Sequence, residues 1–498
     1  MKICVLDDSY EQSVTPFKQF DFLPDPIRYL EGHECERHFL HKATAVRQVR
    51  ELARRGFEVF LNLCDGAWEE DRPGIEVVQA LERLGLAFTG ATSSFYEPSR
   101  EAMKRVCHYW DIGTPAYVMA SNASDVEFAA GSLEFPLIVK HPNGYASIGL
   151  TKDSRVETAE ALREQGAKTI EAFGGALIEE FVEGREFTVL VAENPDDEFD
   201  PIVYQPVEFR FPEGESFKHF DMKWKDYQKM TCIACDDRDL ACRLMDMSRR
   251  FFVGLGGTGY GRCDIRMNGQ GELFMLEINP NCEAFYPPED AGSADFILLN
   301  DPAGHRGFLD KIIQSALKRQ RLQTRKWRIN RHPKGDFGMY AAAKIEAGEV
   351  IERYEEQAHV LVSKAHVVKY WNAGQQELFS RYAYPLTDEL YVIWSDVPDQ
   401  WKPINHSCDP NAWLEGLDLT ARHRIAAGEQ ITMDYATFCN ESLEEFSCSC
   451  GSPDCRGIIR GTDYRRSFLE RYGEHVSDYV RTQRRKRRPR VAQVKLKI

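Results

Sequence analysis

The sequence has no apolar run approaching the ~18 residues that a membrane-spanning helix needs. Its start, MKICVLDDSYEQS, lacks a basic region followed by an apolar one. A membrane-spanning or exported chain is therefore not expected, and the expected location is the cytoplasm. No internal repeat is visible, which argues against solenoids and propellers. Cysteine is too sparse for a disulfide scaffold, at 14 in 498 residues. Singles such as Cys4, Cys35, Cys64 and Cys107 read as small buried hydrophobes in a reducing compartment. Compositional bias is missing as well: 43% hydrophobic, 11% aromatic and 28% charged residues exclude a disordered, collagenous or coiled-coil chain. Positive charge is scarce except at one end. The net charge is −15, yet the stretch from Arg481 onward holds nine Lys or Arg and no acid, which leaves −24 on the first 480 residues. A body this acidic is a poor general nucleic-acid binder. The basic end reads as a nuclear-import signal, a phosphate-binding arm or a solubilising tail, and only through it would nucleic acid or the nucleus come into play.

What is present is length for about three domains. KICVLDD reads as a strand, ATAVRQVRELARRG as a helix closed by glycine, FEVFLNLCD as a buried strand, GIEVVQALERLG as a helix and LAFTGA as a further strand. Strands alternating with helices of this length imply βαβ units and a parallel sheet. A helical stretch, SREAMKRVCHYWDIG, precedes a second βα set from FPLIVK onward. Past Leu322 short strands, frequent Gly, Pro and Asn, and a late cysteine cluster take over, so a boundary is expected near residue 325.

YGRCDIRMNGQGELFMLEINPN reads as a β-hairpin around the Asn268-Gly269 turn signal. A turn centred between Gln270 and Gly271 sets Asp264 opposite Glu277 and Arg262 opposite Asn279. The period of two puts all four on one sheet face. Two carboxylates and an amide oxygen suit Mg²⁺, which shares its ligands with phosphates; a surface ion-pair ladder is the competing reading. Elsewhere, Lys140 ends an apolar strand ahead of a loop with Gly144 and Gly149, an arrangement able to cradle phosphates. ALIEEFVEGREF adds Glu179, Glu180 and Glu186, and KHFDMKWKDYQ adds Lys225.

In these segments and their order the sequence resembles the ATP-grasp superfamily, and within it the D-alanine–D-alanine ligase-like enzymes, over about residues 1–320. The resemblance implies two α/β lobes gripping ATP, behind an N-terminal βαβ domain. It implies Mg²⁺ held by Asp264, Glu277 and Asn279, phosphate contacts from Lys140 and Lys225, an ATP contact from Arg100 where the family has a lysine, and a phosphate loop containing Ser147. Glu180 and Val182 would form the adenine hinge, Glu186 the ribose ligand, and Arg262 the catalytic arginine at the tetrahedral intermediate. The family's serine pair is Ala146-Ser147 here, NPNCEAFYPP replaces its segment after the Asn ligand, and YEQS does not present its amine-binding carboxylate. D-Alanine specificity is therefore not carried over.

INHSCDPNAW, GEQITMDYATF and CSCGSPDCRG form a second constellation. Cys448, Cys450 and Cys455 make a C-x-C-x4-C knuckle that lacks one ligand for a structural zinc, and Cys408 is the natural fourth. Cys232–Cys235 is a lone CxxC and does not read as a site. These residues closely resemble the SET-domain lysine methyltransferases with a post-SET zinc segment, over about residues 326–461. The resemblance implies an S-adenosylmethionine cradle at Gly338, Met339 and Tyr340, with Gly335 and Asp336 departing from the family's loop. It implies further cofactor contacts at Asn405 and His406, and Tyr435 as the catalytic tyrosine. Met433 stands where the family sets how many methyls fit; without a hydroxyl to hold a water against the amine, it is expected to admit more than one. Tyr382, Tyr384, Trp394 and Trp413 are candidates for the lysine channel, with core packing the commoner role for such aromatics.

The expected architecture is multidomain. A pre-ATP-grasp βαβ domain (1–100) and an α/β ATP-grasp domain (101–325) precede a mostly β SET domain (326–440). A post-SET zinc segment (441–465) and a helical, basic tail (466–498) follow. The expected function is bifunctional: an ATP- and Mg²⁺-dependent carboxylate–amine ligase plus an S-adenosylmethionine-dependent lysine N-methyltransferase, with small amino acids or peptides as partners and a small lysine-containing peptide or amide as the expected substrate. The alternative is a protein lysine methyltransferase whose ATP-grasp part modifies or binds a protein. A homodimer is expected by resemblance to the ligases.

Overall fold

A computed structural model describes the chain except for residues 12, 17, 145, 198–199, 324, 332–336, 354–359, 394–400 and 488–498. Gly335, Asp336, Trp394 and the last eleven residues of the basic end therefore lie outside the described residues. The chain folds as two units, 1–323 and 324–498.

In the first unit the run KICVLDD becomes strand Lys2–Asp8, buried along nearly its whole length, as a central parallel strand with both faces covered requires. It pairs in parallel with Glu34–Leu40 on one side and Val59–Asn62 on the other. Helices Ala45–Ala53 and Ile75–Arg83 bury Val49, Leu52, Val77, Val78 and Leu81. The carboxyl end of this sheet carries Asp7, Asp8 and, just past the third strand, Asp65, the edge at which open parallel sheets bind ligands.

LAFTGA does not form a strand. Only Phe88 pairs, in an isolated parallel bridge with Phe60. The ladder stops there because the Thr89 hydroxyl accepts the Asn62 N–H at 3.0 Å, and the Ala91 N–H is taken by Asn281 Oδ1 at 2.7 Å. Strand Glu34–Leu40 went unread because its residues are mostly half-buried and polar, which hides an edge strand from hydrophobic periodicity.

The stretch from residue 117 onward builds an antiparallel sheet in the order Tyr117–Ala120, Ala176–Glu180, Leu137–Lys140, Arg155–Val156. Helices Ala123–Ser132 and Ala159–Phe173 pack on it through Val126, Ala129 and Leu162. A second sheet runs Thr231–Ala234, Val207–Arg210, Arg185–Ala192, Tyr260–Met267, Leu273–Pro280, with Ile202–Val203 beside the central strand.

The second unit is made of small sheets. Trp327–Arg331 pairs with Phe337–Ala341, Ala412–Glu415 with Asp418–Ala421, and Asn405–His406 lies parallel to Thr432–Met433. Its core gathers Trp327, Met339, Ile345, Leu414, Ile425, Ile431 and Met433. The first part of the segment expected as a tail is anchored: Leu469, Tyr472 and Val476, and Tyr479 and Val480 of helix Asp478–Arg487, pack with Ala436 and Tyr464. Among the described residues no helix is long and apolar enough to cross a membrane.

Candidate active sites

The hairpin Tyr260–Met267/Leu273–Pro280 has the register expected from its turn: Arg262 opposite Asn279 and Asp264 opposite Glu277. A bulge follows Asp264, so the register holds at the four residues that matter and slips beyond them. Asp264 is almost fully buried. It accepts from the Thr188 hydroxyl at 2.8 Å, from Arg262 Nε at 3.3 Å and from Asn279 Nδ2 at 3.2 Å. Burial pushes its carboxyl up, but Arg262, Lys218 and these donors outweigh burial and hold it below the usual carboxylate range. Glu277 is paired with Arg100, whose Nη2 also donates to the Gly144 carbonyl at 2.8 Å. Two carboxylates and an amide thus stand at one wall of a cavity, an oxygen-donor set that fits Mg²⁺.

The same cavity is lined by Glu180, Phe181 and Val182 and by Lys140, Ser147, Glu186 and Lys218. Ala146 and Ser147 adopt φ of 54° and 58°, a left-handed turn that glycine takes most readily. Ser147 Oγ donates to the Lys218 carbonyl at 3.1 Å, and Trp224 Nε1 donates to the Ala146 carbonyl at 3.0 Å, so the loop is fastened from both sides. Lys140 Nζ donates to Glu179 at 2.6 Å, and Lys104 pairs with the same carboxylate. Burial raises the Glu179 carboxyl, yet the two ammoniums outweigh it and hold it down at about 2. Glu186 faces Lys218 at 3.7 Å and Arg266 at 3.5 Å.

In the second unit a cavity of about 710 Å³ is lined by Phe337, Trp401 and Asn405 together with the rings of Tyr382, Tyr384, Tyr435, Phe438 and Phe446 and with Met433. That size suits a nucleoside-sized group together with a side chain. Tyr435 donates its hydroxyl to the Ile404 carbonyl at 2.8 Å, and its ring lies edge-on to Phe438 and Phe446. Burial raises its phenol above the usual range, so the ring stays neutral. The Tyr435 N–H donates to His406 Nδ1 at 3.2 Å, which leaves Nε2–H to face Cys408 Sγ at 3.4 Å. Burial pushes the His406 ring down to about 4, and it is neutral near pH 7. Behind Tyr435, the buried Asp434 accepts two bonds of 2.7 Å from Arg456 and one of 2.9 Å from the Tyr472 hydroxyl. Arg456 follows Cys455 directly, so the cysteine knuckle and the segment after residue 460 both fix the turn that presents Tyr435.

Cys408, Cys448, Cys450 and Cys455 bring their sulfurs within 4.8 Å of one another, with Cys408 and Cys448 at 4.0 Å. A tetrahedron with zinc–sulfur bonds of ~2.3 Å needs about 3.8 Å between sulfurs. The set fits zinc.

Residues 108–282 match the family described as D-ala D-ala ligase C-terminus, and residues 336–436 match the SET domain. The chain joins a D-Ala-D-Ala ligase-type ATP-grasp domain to a SET domain. The D-alanine–D-alanine ligase of Chromohalobacter salexigens is 29% identical over 232 residues, which are 46% of this chain and 67% of that protein. The ligase of Herminiimonas arsenicoxydans is 29% identical over 246 residues, covering 47% and 70%. Among solved structures, D-alanine–D-alanine ligase from Bacillus anthracis matches 64% of this chain and 99% of its own, with a TM-score of 0.47 and 18% identity.

Several expected site residues stand elsewhere. In the ligase unit Lys225 is half-exposed and paired with Asp221 at 2.6 Å, outside the cavity wall; Lys218 and Lys223 line it instead. The reason is the short helix Phe220–Trp224, which turns Lys225 away at its end. In the SET unit Gly338, Met339 and Tyr340 form a paired strand, and none of them lines the cavity. The Met339 N–H is bonded to the Pro403 carbonyl and its own carbonyl accepts from Ile431, so this backbone is already satisfied. Phe337 and Asn405 occupy the wall instead, while His406 sits behind Tyr435 as its backbone partner. Trp413 stacks on His475 at 3.6 Å and serves packing. Cys232 and Cys235 lie at a strand and its end, apart from the cysteine cluster. Sequence reasoning missed Lys104, although it lies one helical turn from Arg100 and so on the same face.

Proposed function

We propose that the chain is a bifunctional enzyme. The ligase unit activates a carboxylate with ATP and joins it to an amine; the SET unit methylates a lysine amine using S-adenosylmethionine. The observation that carries the first half is the pairing of Asp264 with Glu277 and of Arg262 with Asn279 on one hairpin, in a cavity that Glu180–Val182 also line. A carboxylate oxygen attacks the γ-phosphorus and ADP leaves. The amine then attacks the acyl carbon, phosphate leaves, and one proton is lost. Bound Mg²⁺ would neutralise charge between the phosphates and Asp264, Glu277 and Asn279. The chain's own part is positioning and charge. Lys140 is held by Glu179, Arg100 is held by Glu277 and the Gly144 carbonyl, and buried Arg262 is aimed by Asp264. ADP release requiring Mg²⁺ and an amino acid, and lost in Glu277→Ala, is the test.

In the SET unit the lysine amine must be neutral to react, and the wall of Tyr382, Tyr384, Tyr435, Phe438 and Phe446 keeps water from it. Tyr435, fixed through its hydroxyl and its backbone, orients the amine. Met433 offers no hydroxyl to hold a water there, so di- and trimethyl products are expected. Mass spectrometry of exhaustively treated substrate showing monomethyl lysine alone would refute this. Zinc held by Cys408, Cys448, Cys450 and Cys455 is assigned a structural role, tying the post-SET segment to the NHSC loop. The substrates are small amino acids or peptides for the ligase unit and a lysine of a peptide or protein for the SET unit.

A further inference from the structure

Beyond the nucleotide cavity, the ligase unit continues into a second chamber. The nucleotide cavity shares Arg262, Glu277 and Asn279 with an adjoining cleft, and the cleft shares Asp65, Arg72 and Glu283 with a chamber of about 270 Å³. This chamber lies at the carboxyl end of the parallel sheet. Asp7, Asp8, Asp21, Asp65 and Glu283 line it, with Arg72 as the one cationic side chain. Arg72 is spent within the protein: it holds Asp8 at 2.8 Å, Asp65 at 2.6 Å and Glu70 at 2.9 Å. Asp7 faces Arg37 at 3.6 Å. Among the described residues Asp21 accepts from the hydroxyls of Tyr10 and Tyr286. Among the described residues neither Asp21 nor Glu283 has an ion-pair partner.

Two further observations point to a ligand. Asp8 and Asn281 are 6% and 4% exposed and both line the chamber. Asn281 Nδ2 is nevertheless buried without a hydrogen-bond partner, whereas the Asp8 carboxylate is bonded by Arg72 and by the Cys64 thiol. Buried polar atoms are normally satisfied, and a chamber wall that leaves a donor open is built for a polar guest. Burial raises Asp7 to about 6 and Asp65 to about 7, and raises Asp21 with help from Glu283. Burial pushes Glu283 up as well, but Lys223 and Arg262 outweigh it and hold Glu283 below the usual range. The uncompensated burial therefore falls on Asp7, Asp21 and Asp65, which a further cation would relieve.

We propose that this chamber binds the far cationic end of the ligase's amine substrate, an aliphatic dication such as a diamine or a basic amino acid. One ammonium docks between Asp21 and Glu283 and keeps its charge. The other end, as a free amine, reaches through the shared cleft to the acyl carbon beside Arg262. The carboxylates exceed what a single small amino acid would neutralise, which separates this assignment from a neutral substrate such as alanine. The assignment rests on the ligase reading only for the attack by the second amine; the binding stands on its own.

Calorimetric titration of the full chain with cadaverine, lysine and butylamine, without nucleotide, tests it, alongside ADP release with Mg²⁺, ATP and each amine in the presence of an amino acid as carboxylate donor. Cadaverine should bind at least about 10-fold more tightly than butylamine, and Asp21→Asn and Glu283→Gln should each weaken it about 30-fold or more, since each removes a partner of a buried charge. Should both variants fail to fold, the preference for two charges over one in the unaltered protein still decides. Equal affinity for cadaverine and butylamine, or unchanged binding in both folded variants, overturns the proposal. Dication binding with no ADP release from any amine leaves the chamber assigned and sinks the ligase reading. ADP release driven best by alanine or glutamate, with no dication binding, does the reverse.

Discussion

The two units solve opposite electrostatic problems. The ligase cavity is walled by charge: Lys140, Lys218, Arg100 and Arg262 stand against Glu179, Glu186, Asp264 and Glu277. Such a site suits an anionic substrate whose charge must be neutralised and moved. The SET cavity is walled mainly by rings, with Tyr435 and its neighbour His406 both kept neutral by burial. Such a site suits an amine that must lose its charge before it reacts. The same physical cause, desolvation, is resisted in the first by paired ions and exploited in the second. Substitutions in the two units should therefore fail in different ways.

The largest contrast comes from the reacting groups. Glu277→Ala should cut ADP release at least about 100-fold and leave methyl transfer intact. Tyr435→Phe should do the reverse by a similar factor, and the pair assayed on one preparation checks whether the sites are independent. A variant that abolished both activities would break the comparison.

Next in size is Glu179→Gln. It leaves Lys104 and Lys140 facing each other in a buried site, and removing one partner of a buried charge cluster costs about 3–5 kcal/mol. Calorimetry should show the ligase transition moving down by roughly 5 °C, with the SET transition in place.

Replacing Cys450 by Ser should lower bound zinc and loosen the Arg456–Asp434 lock behind Tyr435. Metal analysis together with a methyl-transfer assay tests both; unchanged zinc stoichiometry would sink the four-cysteine assignment.

The pH response should be smaller and specific to the ligase unit. Asp7 and Asp65 titrate at about 6 and about 7 in the folded chain, above their ordinary 3.8. The folded state therefore holds protons that the unfolded state has already released. Their contribution to stability is full below pH ~4 and is lost as pH rises through 6 to 7. Thermal unfolding should show the ligase transition falling between pH 5 and pH 8. The smallest effect is expected at Lys225→Ala: an exposed i,i+4 pair with Asp221 contributes about 0.5 kcal/mol or less, so ADP release should stay within about 2-fold. A large loss there would restore Lys225 to the phosphate site.

The hairpin was legible because a strand's side-chain period and a turn signal together fix which residues oppose each other. Asp264, Glu277, Asn279 and Arg262 need no more than that. The cysteine knuckle was legible from spacing for the same reason, and Cys408 from its chemistry. Lys218 and Lys223 were not distinguishable from Lys225, because three lysines within eight residues differ only in how one short helix turns them. The cofactor strand misled in a different way. Gly338–Tyr340 carries a motif, but the Met339 N–H and carbonyl at its centre are consumed by Pro403 and Ile431, which are distant in sequence.

From sequence alone came the two domain types, the boundary near residue 325, the oxygen-donor set and the thiolate set. Each depends on short-range regularity: period two in strands, helical faces, and ligand spacing along a few residues. Tertiary structure alone decided which lysines reach the nucleotide cavity, and how Asp434, Arg456 and Tyr472 hold Tyr435. It also decided that Asp7, Asp8, Asp21, Asp65 and Glu283 share one chamber. Those five carboxylates span some 280 positions of the chain, and no local pattern links them. Only the folding of a parallel sheet edge against the segment after Asn279 brings them within reach of one another and removes the water that would otherwise screen their charge.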